Sequence, residues 1–210
     1  NDQTDIIVCR HHLIDYRGIR RDRGVNLDGN LPGRQVALEV LSESFTPYVW
    51  DKVYRTEALD GLRFERVEGA EDKVFNVSAN MIARSVRFTI PSLITYHMSP
   101  TSLTWGRVSS IAEAHAVDRA IRRASEDLAW TPQGQQALRA SRILAYQMPI
   151  HQAIFNRRPT RGLTDGYSWR DIMATLRLRP LIGAAAGLCK LSAPAYSLVY
   201  RKLWVRHYGL

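Results

Sequence analysis

Two adjacent carboxylates, Glu71 and Asp72, open the run GAEDKVFNV at residues 69–77. Behind them Val74, Val77 and Met81 recur at i, i+3 and i+7 with Phe75 and Ile82 alongside, which predicts a half-buried helix over Asp72 to Arg84. Acids in a first helical turn face the positive end of the dipole, so the pair would serve as ordinary helix-start chemistry. The same position gives an ionised carboxylate a second use, because a base must be unprotonated at neutral pH to take a proton from a hydroxyl. The residues pose a choice between a cap and a general base.

Other elements must position that pair. Asp5 to Cys9 is a short β-branched run and predicts a buried strand, followed by a polar, glycine-punctuated loop over residues 17–34. RQVALEVLSESF predicts a helix that ends before Pro47. SVRFTIP and SLITYHM predict two strands around Pro91. Beyond Trp105 the texture turns Ala- and Arg-rich, with Ile111, Ala114, Val117, Ile121 and Leu128 at helical spacing and an interruption at TPQG. Ser168 to Asp171 has the form of a capping box opening a helix that buries Trp169, Ile172, Met173 and Leu176. Two apolar stretches, residues 180–189 and 191–200, are separated by Lys190.

Composition narrows the class. The 210 residues are 45% hydrophobic, enough for a sizeable core, and no basic-then-apolar leader precedes the first strand. Cys9 and Cys189 stand far apart with no partner at metal-ligand spacing, so neither a disulfide framework nor a zinc knuckle is expected, and a reducing cytoplasmic setting fits. The net charge of +9 is concentrated at one end: from Arg157 onward ten basic residues face only Asp165 and Asp171, while the remainder carries 19 basic and 18 acidic residues. A spanning helix needs ~20 apolar residues, and the tail's only candidate is interrupted by Lys190 and Pro194. Its leucines and cations instead predict a helix lying on the cytoplasmic face of an anionic membrane. No recognised nucleic-acid motif accompanies the charge, and nucleic acid is not expected as a partner.

Taken together, Trp50, Lys52, Tyr54 and Arg55, then Phe64, then Glu71, Asp72 and Phe75, then Tyr96 and Ser102, resemble in order and spacing the C-terminal half of the catalytic domain of family-2 glycosyltransferases. TDIIVCRHHLID looks like the strand that follows the nucleotide-binding half in that family. The resemblance covers about the first half of the chain. It implies an α/β fold, a partial GT-A-like mixed sheet over residues 1–105, followed by a helical extension over 106–164 and a basic amphipathic tail over 165–210. It also implies sugar transfer with inversion from a nucleotide-sugar donor to a glycan or lipid-linked acceptor, with Asp72 as general base and Glu71 orienting the acceptor or Asp72.

Under that resemblance Trp50 offers a flat face to a sugar ring, and Lys52 a cation to a diphosphate or to the Glu71–Asp72 loop. Both have packing roles open to them as well, Trp50 as a core anchor and Lys52 as ion-pair partner of Asp51 or Glu71. Tyr54, Phe64 and Phe75 read as core. His97 stands where the family more often has Arg. The family also holds a divalent metal, Mg or Mn, through an Asp-X-Asp motif; none occurs here, which implies that most metal ligands lie outside this chain and that these residues alone are inactive. The alternative reading is a non-catalytic basic module or degenerate scaffold attached to membrane or nucleic acid.

Overall fold

A computed structural model describes residues 4–99, 106–160 and 162–208. The chain is an α/β protein. Its strands are β1 (Ile6–Ile14), β2 (Arg20–Arg23), β3 (Gly29–Pro32), β4 (Lys52–Tyr54) and β5 (Ser85–His97); its helices are α1 (Gly33–Leu41), α2 (Glu71–Ile82), α3 (Ile111–Ala124), α4 (Pro132–Phe155), α5 (Trp169–Leu178), α6 (Pro180–Leu191) and α7 (Ala193–Tyr208).

The sheet is mixed, in the order β2-β1-β5-β3, with β4 also on β1. β1 and β5 run parallel, Ile6 opposite Val86 and Ile14 opposite His97. The outer edge of β1 is shared: β4 takes Ile6 to Val8 and β2 takes His11 to Ile14, both antiparallel. Ile6, Val8, Val86 and Phe88 point to one face, where Val36 and Val40 of α1 and Val74 and Val77 of α2 close the core over them. On the other face Ile7 and its cross-strand partner Val53 are exposed. β3 accompanies β5 only from Ser85 to Phe88, so beyond that the far edge of β5 pairs with no strand among the described residues, and Ile90 and Leu93 there are exposed.

Two expectations are corrected here. The polar loop over residues 17–34 contains β2 and β3, whose sequences RRDR and GNLP carry almost no apolar signal; they are edge strands recruited by the free edges of β1 and β5. The two strands expected around Pro91 are one, β5. Proline lacks an N–H, and the strand tolerates it because the register with β1 shifts there, between the Val8–Phe88 and Arg10–Ser92 pairs, on a stretch whose other edge is open.

The helical half follows the expected order. Ser110 opens α3 and Ser168 opens α5, each with a reciprocal capping box, and Thr131 caps α4 ahead of Pro132. α4 threads two cores: Ala137 and Leu138 belong to the sheet core, while Ile143, Tyr146, Ile150 and Ile154 form a second with Tyr167, Ile172, Ala186 and Tyr196. The α5 expectation is half right. Ile172 is buried and Leu176 partly so, but Trp169 is 48% and Met173 54% exposed.

Candidate active site

The carboxylate pair separates into two jobs. Gly69, at φ 87, turns the chain into α2, and Ala70 at the cap position supplies no side-chain acceptor. Glu71 instead reaches back to the loop, accepting a hydrogen bond at 3.1 Å from the Gly69 N–H ahead of the helix. Asp72 caps nothing local. Its Oδ2 faces the Val49 N–H across 3.4 Å, in the segment that leads into β4, and its carboxyl is only partly buried. Burial raises its pKa above the ordinary 3.8, the negative charges of Glu71 and Asp51 raise it further, and the Val49 N–H and Lys52 pull against them. The helix start alone would favour the ionised form; burial among other acids outweighs it.

Asn76, one turn along α2, holds the site's geometry. Its amide nitrogen donates to the Pro47 carbonyl at 2.6 Å and to the Asp72 carbonyl at 3.0 Å, and its oxygen accepts from the Tyr54 hydroxyl at 2.8 Å. A fully buried asparagine with both ends satisfied locks the segment before β4 to α2. Tyr54 packs edge-on to Phe75, and both lie partly buried against the sheet core as expected; Phe64 does not, since it is 52% exposed and only stacks on the outer side of Phe75.

Lys52 is engaged internally. Its ammonium donates to Thr46 O at 3.0 Å, Tyr48 O at 2.6 Å and Asp51 Oδ1 at 2.6 Å, and its side chain is 2% exposed. Of the roles open to it, the structure shows the ion pair with Asp51. Burial lowers the Lys52 pKa, and the charges of Asp51 and Asp72 oppose that. For Asp51 burial works the other way, yet the charge and hydrogen bond of Lys52 and the Thr46 hydroxyl, both at 2.6 Å, outweigh it and hold the carboxyl below its ordinary range, with the His11 ring close by. His11 Nδ1 stands 3.6 Å from Asp51 Oδ2, beyond hydrogen-bond reach.

Trp50 sits in an aromatic column, nearly parallel to Tyr48 at 4.8 Å and to Tyr96 at 5.4 Å, with the His11 ring edge-on at 4.6 Å. Trp50 and Tyr96 are thus brought together, and the indole that was expected to offer a face to a sugar ring is stacked on protein rings. Arg55 clamps the chain start, donating to Thr4 O and pairing with Asp5. His97 is exposed at the end of β5, and Ser102 lies outside the described residues. Sequence reasoning missed His11, Tyr48 and Asn76. Alternation along β1 gave no signal for His11, since it sets the residue with exposed Ile7 rather than with Ile6 and Val8; the register with β5 shifts on both sides of Arg10, and such a break cannot be read from spacing.

Among the described residues no cluster of three or more His, Cys, Asp or Glu side chains is arranged to hold a metal ion. A shallow pocket lies beside the start of α2, but Lys73, Glu43 and Glu113 line it rather than Asp72. Comparison with known protein families, with characterised proteins and with solved structures finds no match to this chain. What the fold defines is the class, an α/β protein with a mixed five-stranded sheet and a helical C-terminal half.

Proposed function

We propose that the chain is the acceptor-side portion of a cytoplasmic glycosyltransferase that moves a sugar, with inversion, from a nucleotide donor to a glycan or lipid-linked acceptor. The observation that carries this reading is Asp72: a partly buried carboxylate at a helix start, with no local capping duty and with its pKa raised. A base of that kind takes the acceptor hydroxyl's proton as the oxygen attacks the anomeric carbon and the nucleoside diphosphate leaves. Glu71 keeps the loop in place through Gly69 and adds to the charge that makes Asp72 more basic. Lys52 acts through Asp51 and the Thr46 and Tyr48 carbonyls, fixing the segment that carries Trp50. Donor and divalent metal would be held by residues outside these 210.

The test is sugar transfer by a longer polypeptide that joins this segment to a donor-binding half. Asp72→Asn should lower kcat on the order of a hundredfold or more with donor affinity nearly unchanged. The wild-type rate should fall as pH drops through the raised Asp72 pKa, at higher pH than an ordinary aspartate would produce. An Asp72→Asn variant that keeps most of its turnover removes Asp72 as base and leaves the non-catalytic scaffold as the better reading.

A further inference from the structure

The outer side of α6 carries an apolar stripe that nothing among the described residues covers. Leu181, Ala184, Leu188 and Leu191 recur at intervals of three and four, so they share one helix face, and Leu181 is 86% and Leu191 74% exposed. Leu198 of α7, 71% exposed, adds to it. The inner faces of the same helices are conventional core: Ala186, Cys189 and Tyr196 are buried, and Gly183 lies so close to Leu176 of α5 that a Cβ would stand 2.6 Å from its backbone nitrogen.

The disposition of charge says what the stripe faces. Lys190 is the only charged residue of α6, and it is turned inward: its ammonium donates to Thr164 O at 3.0 Å and Tyr167 O at 2.8 Å and lies over the Tyr167 ring. The outer face is therefore left uncharged, with exposed cations on the neighbouring helices, Arg170 and Arg177 on α5 and Lys202 and Arg206 on α7. Between residues 166 and 208 the sole acid is Asp171, buried and held by Ser168 and Arg139. A second copy of the chain would bring these cations against each other, and a nucleic acid would meet leucine where it needs charge. No helix among the described residues is long and apolar enough to cross a membrane.

We propose that this face docks onto an anionic bilayer, the α6 leucines entering the boundary between headgroups and acyl chains and the four flanking cations reaching lipid phosphates. It narrows the membrane contact expected for the whole tail to one face, and Lys190, Arg179 and Arg201 drop out of it: Arg179 donates to Ser42 O and Arg201 to Ile154 O. The proposal is independent of Asp72, and its failure would leave the transferase reading where it stands.

Flotation of the full chain with vesicles tests it. The wild type should float with phosphatidylcholine vesicles containing phosphatidylglycerol and stay behind with pure phosphatidylcholine. Leu191→Glu combined with Leu198→Glu, both at exposed positions, should reduce the bound fraction at least tenfold with an unchanged far-UV spectrum, and Leu181→Glu alone should do the same should the double variant misfold. Arg177→Glu with Lys202→Glu should weaken binding to the anionic vesicles about fivefold or more for each cation removed. Equal recovery with neutral vesicles, flotation undiminished by the leucine variants, tighter binding to duplex DNA at physiological salt, or a dimer in sedimentation that Leu191→Glu disperses would each overturn the proposal.

Discussion

The sheet core and the helical core solve burial differently. Around β1 and β5 the interior is aliphatic and β-branched, Ile6, Val8, Val36, Val40, Val74, Val77 and Val86, and its buried polar groups are met in separate pairs and clusters: Asp51 with Lys52 and Thr46, Asn76 with Tyr54 and the Pro47 carbonyl, and Asp5 with Arg84. The second core is built round Tyr146, Tyr167 and Tyr196, whose hydroxyls reach His115, the Ala186 carbonyl and His151. Volume decides the first, while each aromatic of the second must also satisfy a polar tip. Charged side chains in the first core are therefore paired with counter-charges, whereas the hydroxyls of the second each fix the orientation of one ring.

The strongest way to break this contrast is to strain both cores alike. A Cβ on Gly33 would meet the Ala83 and Asn80 carbonyls at 2.1 and 2.3 Å, and one on Gly166 would meet the Tyr146 ring at 1.9 Å. Gly33→Ala and Gly166→Ala should each cost about 3 kcal/mol in urea unfolding. Because α4 contributes to both cores, both variants should still unfold in a single transition; two separated transitions would show that the halves are independent.

Chemistry-specific changes sharpen it. Val77→Ala should cost about 2 kcal/mol through lost volume, and Tyr146→Phe about 1 kcal/mol through its lost bond to His115. A larger loss from Tyr146→Phe than from Val77→Ala would reverse the assignment of the two cores.

A pH effect links the halves. Burial would raise the Asp15 pKa, but the Ile19 and Arg17 N–H groups and the Arg17 and Arg21 guanidiniums overcome it and bring it from 3.8 to about 2. A depressed carboxylate stabilises the fold above its unfolded pKa, and that contribution is lost as pH falls from about 4 to about 2. Asp15→Asn should therefore lower Tm at pH 7 and leave it unchanged near pH 2. Arg17 and Arg21 also donate to the His207 carbonyl, so amide exchange in the last turn of α7 should quicken over the same window.

The smallest effect concerns the site. The raised Asp72 pKa means that the fold disfavours its charged form, a penalty present at neutral pH and absent in strong acid. Asp72→Asn should thus leave Tm level or raise it by roughly 2 °C. A clear fall would make Asp72 a structural cap after all.

Periodicity made α2 and α3 legible, and the Ser168 to Asp171 capping box was readable residue by residue, because those signals are local; α4, whose apolar residues divide between two cores, offers no single stripe to read. β2 and β3 were not, since their pairing depends on edges presented by strands elsewhere in the chain. The roles of Lys52 and Lys190 depended on which carbonyls tertiary folding brought near, a matter no spacing records. Asp72 and Glu71 were found as a pair but not told apart; only the φ of Gly69 and the approach of Val49 give Glu71 to its own loop and turn Asp72 towards the segment before β4.

The parallel pairing of β1 with β5 also sets a timetable for synthesis. Its outer half can close on β2 within a hairpin, but Asp5 and its partner Arg84 are 79 residues apart, a stretch that takes about 4–16 s to emerge at ordinary elongation rates. For that interval the inner half of β1, with Ile6, Ile7 and Val8 in a row, lacks its parallel neighbour, and such a segment is prone to pair with another nascent chain. Asp5 before the run and Arg10 after it place a charge at each end, where strand addition would begin, so the residues that bracket β1 protect the polypeptide before there is any fold for them to stabilise.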